Sequence, residues 1–227
     1  MTASAPGAVV GPDDVLRMLR TGTATEHRNL ERTLDLLDPA LDRPRLVAVL
    51  GRLHGFWLAA EEGLDTWAAE HPADAEALTW SRRRRAGLFA ADLEALGAAG
   101  SHRRPELPPV AGTDDALGRM YVLEGSTMGG AFIDRHLRAL PGLAGIRLHA
   151  FSPYGADTGA MWQAFRRATR DRVAGGGDPA AVVTAARDTF LALAAWCRPV
   201  APARRRSSWP PSGATSVSPR RGLRTGA

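Results

Sequence analysis

The sequence predicts an all-α fold, a single-domain bundle of several helices, on three grounds. Apolar residues recur at helical spacing in segment after segment. No stretch alternates with period two for long enough to make a strand. The breaks between segments carry helix-stop and helix-start chemistry: Asp38-Pro39, Pro72, Pro141-Gly142 and Gly175-Gly-Gly177. A chain of 227 residues, 44% hydrophobic, has apolar surface enough for one core.

Taken in order, residues 1–11 are small and unpatterned and read as a disordered lead. Pro12, Asp13 and Asp14 open a helix, with proline in the first turn and acids at the positive end of the dipole. It loosens at Gly22 and restarts where Thr23 and Glu26 have capping-box spacing. His27, Leu30 and Leu34 then share one face, so His27 points inward. Asp42 caps a second long helix with Pro44 in its first turn, carrying Leu46, Leu50, Leu53, Phe56 and Trp57 to Trp67. A third runs from about Ala73 to Leu96 and includes Arg82-Arg-Arg-Arg85, which wraps around the helix as solvated surface. Residues 97–112 are loop.

Thr113 and Asp114 begin the next helix. Its centre, Arg119 to Arg135, keeps a helical repeat in Met120, Leu123, Thr127, Phe132 and Ile133 yet contains Gly125, Gly129 and Gly130. Each glycine weakens a helix by about 1 kcal/mol relative to alanine, so something compensates. Either a neighbouring helix approaches closely at Gly125 and Gly129, or a flat ligand lies on backbone bare of Cβ atoms and the helix bends to admit it. Beyond Phe151-Ser-Pro-Tyr154-Gly155, Asp157 or Thr158 caps a helix through Met161, Trp162 and Phe165. Asp178 and Pro179 start the last one, through Val182, Ala186, Phe190 and Trp196. The domain spans 12–198, and 199–227 is an Arg-, Pro- and Ser-rich tail expected to be disordered.

Charge follows these divisions. Seven of the 29 basic residues, all arginine, lie at 198–227 among no acids, which leaves 22 against 24 acidic residues in the body. The formal net charge of +5 therefore belongs to the tail, and a slightly acidic body argues against nucleic acid as a partner. The start of the chain lacks the basic, long-apolar pattern of a secretion signal, and no apolar run reads as long enough to span a bilayer. The expectation is a cytoplasmic protein with no membrane partner. Cys197 is the single cysteine, which rules out an internal disulfide or thiolate cluster, and it reads as a helix-end residue.

An inward histidine on an all-α scaffold raises two metal chemistries. A ferritin-like di-iron site needs Glu-x-x-His pairs, and none of the six histidines has a glutamate three residues earlier. Haem needs an imidazole on one side and room on the other. His27 and the Gly125–Gly130 stretch supply those two faces. His54 and His136 read as surface or supporting groups; His71, His102 and His149 fall in loops.

Two motifs then carry a resemblance. Leu19-Arg20-x-x-Thr23-x-x-Glu26-His27-x-x-Leu30-Glu31, followed by Tyr121-Val-Leu-Glu-Gly-Ser-Thr-Met-Gly-Gly130, resembles the bacterial haem oxygenases that make biliverdin. Phe151-x-x-Tyr154-Gly155, Trp162-x-x-Phe165 and Ala186-x-x-x-Phe190 leading to Trp196 are similar too. The resemblance implies haem held between the first helix and a kinked glycine-rich helix, and cleaved by O2 to biliverdin, CO and Fe2+. It makes His27 the iron ligand, Arg20 and Tyr121 partners of the haem propionates, and Gly125, Ser126, Gly129 and Gly130 the distal surface, with Gly125, Ser126 and Gly129 closest to the chemistry. Animal members have an aspartate where Ser126 stands, so other groups must hold the distal polar network. With no flavin or dinucleotide motif in the chain, electrons come from an external ferredoxin or reductase. A non-degrading haem carrier or sensor on the same scaffold is the alternative, and a thiaminase-like hydrolase is disfavoured by the position of Cys197. Arg166 is a further candidate for a propionate.

Overall fold

The computed structural model describes residues 12–100, 103–143 and 145–201. The disorder expected for 1–11 and for most of the tail, and the loop placement of His102, lie outside the described residues. Nine helices are present among the described residues, joined by turns: α1 Pro12–Gly22, α2 Ala24–Leu34, α3 Arg43–Glu70, α4 Pro72–Ala77, α5 Ala86–Ala95, α6 Thr113–Met128, α7 Gly130–Ala139, α8 Thr158–Ala174 and α9 Pro179–Cys197.

Helix α6 lies along α9, and the rest is assembled around that pair. Close approach is possible because Gly118 has no side chain: a Cβ there would sit 2.4 Å from the Val182 carbonyl oxygen and 2.6 Å from the Ala185 Cβ. The buried stripe of α9, Val182, Ala186, Phe190, Leu193 and Cys197, meets α6 on one side and α1, α2 and α3 on others. By length and composition, Pro179–Val200 is apolar enough to cross a bilayer, with a mean hydropathy of 1.3, contrary to the expectation that no such run exists. Here its apolar stripe is part of the core.

Two caps follow the sequence reading. Asp42 accepts from the Arg45 N–H at 2.9 Å and Asp178 from the Ala180 N–H at 2.8 Å. The Thr23 capping box does not form, because the Thr23 hydroxyl donates back to the Leu19 carbonyl at 2.7 Å. The helix expected over 73–96 is broken. Thr79 adopts a left-handed conformation at φ 51°, and α5 starts afresh at Ala86. Glu61 of α3 reaches across to accept from the N–H groups of Arg85 (2.6 Å) and Ala86 (2.9 Å), doing for α5 what a local cap would do.

That break overturns the reading of the arginine run as solvated surface. Off the helix, Arg83 and Arg85 turn to the same side and are buried, whereas Arg82 and Arg84 face solvent. His54 is likewise buried, not at the surface.

Candidate active site

A cavity of about 480 Å³ opens between α2 on one side and α6–α7 on the other. Helix α2 contributes His27, Leu30, Glu31 and Leu34; the opposite wall contributes Tyr121, Val122, Gly125, Ser126, Met128, Gly129 and Phe132. Leu53, Trp57, Phe89 and Phe151 line it further, with Trp162, Phe190 and Leu193. The lining is apolar and aromatic with few polar groups, the character of a site for a flat hydrophobic ligand.

His27 faces this cavity but is not sunk among leucines as expected: its side chain is 54% exposed. The ring stands edge-on to Phe190 at 5.7 Å, and Nδ1 lies 3.5 Å from Glu31 Oε2, one helical turn on. A carboxylate at that nitrogen orients the imidazole and leaves Nε2 to act as a ligand. Among the described residues no group of three or more His, Cys, Asp or Glu could hold a bare metal ion.

The opposite wall decides between the two readings of the glycines. A Cβ added at Gly125 or Gly129 would have no heavy atom within 4 Å. Neither glycine serves helix packing, which falls to Gly118; both leave bare backbone facing the cavity and His27 across it. Gly130 differs: its Cβ would land 1.8 Å from the Phe151 carbonyl oxygen, so it packs against a neighbouring segment and does not line the cavity. The helix expected to run through the glycines is split in two at Gly129.

Of the propionate candidates, Tyr121 lines the cavity and Arg20 does not, although its charge acts on the Tyr121 hydroxyl. Burial pushes that phenol above its usual range, while the Thr23 hydroxyl and Arg20 pull the other way. Arg166 meets Gln163 on its own helix and is absent from the lining.

Behind the distal wall lies a buried polar network the sequence reading missed. Arg85, 1% exposed, donates to Ser126 Oγ at 2.9 Å and to the Leu123 carbonyl, and its guanidinium sits 4.9 Å above the Trp57 ring. Arg83 forms a buried ion pair with Glu124, whose other oxygen accepts from the Tyr154 hydroxyl at 2.8 Å. Ser126 in turn donates to Leu123 at 2.6 Å. Two side-chain donors thus converge on the Leu123 carbonyl, ahead of the break between α6 and α7 at Gly129. Burial lowers the Arg85 pKa, with Glu124, Tyr154 and Glu61 opposing that shift.

Comparison with known proteins agrees with this geometry. A heme oxygenase of Xanthomonas campestris pv. campestris (strain 8004) is 32% identical over 164 residues, covering 70% of this chain and 94% of that protein. The chain belongs to the haem oxygenase family. In fold it is similar to the NO- and CO-bound heme oxygenase of Neisseria meningitidis, with a TM-score of 0.66 over 82% of this chain and 91% of that one, at 22% identity. No family model matches the sequence.

Proposed function

We propose that this haem oxygenase cleaves haem with O2 to biliverdin, CO and Fe2+, using electrons from an external ferredoxin or reductase. The observation that carries the reading is the pair of facing surfaces: an imidazole on α2, and across the cavity two glycines with open space where side chains would be. Haem serves as both substrate and cofactor, supplying the iron at which O2 is reduced and the ring edge that is oxidised.

The chain's own residues do the rest. His27 holds the ring by its iron and Glu31 holds His27. Tyr121 and Arg20 fix the carboxylate edge, so rotation within the cavity is restricted. Gly125 and Gly129 would let a flat ring approach the backbone of this wall, since no side chain stands between. Ser126 presents a hydroxyl already committed to Arg85 and Leu123, so it would be a weak proton donor to anything bound on this side. Trp57, Phe89, Phe151 and Phe190 keep bulk water away.

The working unit is residues 12–198, in the cytoplasm and without membrane or nucleic-acid partners, so truncation after Arg198 leaves turnover intact. Titration with haemin tests the whole: one haem per chain with a sharp Soret band, then bleaching and a chromatographically assigned bilin on adding reductant and air. A stable oxygenated complex with no bilin would turn the reading into that of a carrier.

A further inference from the structure

Residues 148–154, which include most of the Phe151-x-x-Tyr154-Gly155 pattern, form no helix or strand, yet they are pinned from three directions. Asp92 of α5, 1% exposed, accepts from the His149 N–H at 2.8 Å and the Ala150 N–H at 2.9 Å. Arg85 donates to the Ala150 carbonyl at 3.0 Å with the same guanidinium that grips Leu123 and Ser126. The Tyr154 hydroxyl donates to Glu124, the residue before Gly125.

These anchors fix Phe151. Its ring enters the cavity, edge-on to Phe89 at 6.0 Å, and its carbonyl oxygen fills the space a Cβ on Gly130 would need. The segment therefore touches the distal wall at two points that bracket the open stretch: Glu124 just before it and Gly130 just after. A helix broken at Gly129 has no rigidity of its own there, and its height above a ring is set by what it leans on.

We propose that residues 148–154 are a strut that sets the height and tilt of the α6–α7 wall, and that Tyr154 is a positioning residue for the choice of ring edge. This rests on the haem oxygenase reading above. A wall free to shift by fractions of an ångström leaves more than one edge of a near-symmetric macrocycle within reach; a fixed wall leaves one.

The test is Tyr154→Phe, which removes a single oxygen and keeps the ring's packing, alongside Asp92→Ala, which removes the acceptor at the other end of the segment. Bilin isomers are resolved by chromatography and amide exchange is followed at His149 and Ala150. Both variants are expected to change a single isomer into a mixture, with kcat lowered and the KM for haem unchanged. In the Asp92 variant, exchange at the two amides should rise about tenfold, the effect of losing the carboxylate they donate to. A merely stabilising contact would lower the melting temperature and leave the isomer pattern alone, so an unaltered pattern in both variants overturns the proposal. If the unsubstituted chain makes no bilin, the parent reading fails instead, and the two failures are told apart by that control.

Discussion

The two walls of the cavity are built in opposite ways. Helix α2 carries the iron ligand yet is lightly held: Leu30 is its one fully buried residue among the described ones, and His27 is half in solvent with Glu31 beside it. The α6–α7 wall offers no comparable ligand, yet Arg83, Arg85, Glu124 and Tyr154 brace it from behind. A ligand helix is ordered by the bond it makes, so it needs little support beforehand. A wall that must keep a gap open gains nothing from the ligand and has to be held by the protein alone.

The comparison breaks most sharply at His27. His27→Ala should abolish turnover and the ligated Soret spectrum while shifting stability by no more than about 0.5 kcal/mol, because the side chain is half exposed. Unfolding of the variant in urea would show that α2 is braced after all. Next comes the bare surface. Gly125→Leu and Gly129→Leu are expected to fold and to lose haem turnover, with up to about 1 kcal/mol of helix propensity gained at Gly125, inside α6, and none at Gly129, at the break. Full activity in either would mean that the distal space is not used.

On the braced side, substitutions should register first as stability. Arg83→Met leaves the Glu124 carboxyl buried without its partner, a loss on the order of 3–5 kcal/mol by denaturant titration, and adding Glu124→Leu should recover part of it. A loss below about 1 kcal/mol would place the pair among ordinary surface salt bridges. Gly130→Ala belongs to this set and not with its neighbours, since its methyl collides with the Phe151 backbone; about 1–3 kcal/mol should be lost.

This asymmetry also explains what could be read from the sequence. The two surfaces that face each other across the cavity were legible because local signals specify them: a histidine at helical spacing with leucines on one, and glycines where a helix would not place them on the other. The Asp42 and Asp178 caps were legible for the same reason. The bracing was not, because it joins residues far apart in the chain. Arg85 meets Ser126 only because the chain leaves helix at Thr79, and Glu61, not a neighbouring residue, receives the new N-terminus at Ala86. An unbroken helix from 73 to 96 makes Arg82–Arg85 look like solvated surface, so one wrong segment boundary hid the network. Gly130 was misassigned differently: sharing a motif with Gly125 and Gly129 conceals that each glycine meets a different neighbour.

The smallest effect concerns the place where the two walls touch. His136 of α7 lies with Nε2 3.1 Å from the carbonyl of Asp38, in the turn that follows α2. That turn is itself stiff: Asp38 accepts from the Ala40 N–H at 2.9 Å, and Arg45 donates to the Leu34 carbonyl at 3.0 Å. The contact ties α7, whose Phe132 is 67% exposed, to the turn that follows α2. One such hydrogen bond contributes about 1 kcal/mol, so His136→Ala should speed haem transfer to an acceptor globin by roughly fivefold while Soret position and bilin identity stay as they were. A transfer rate equal to that of the unsubstituted chain would show that α2 is held to its partner wall by the haem alone.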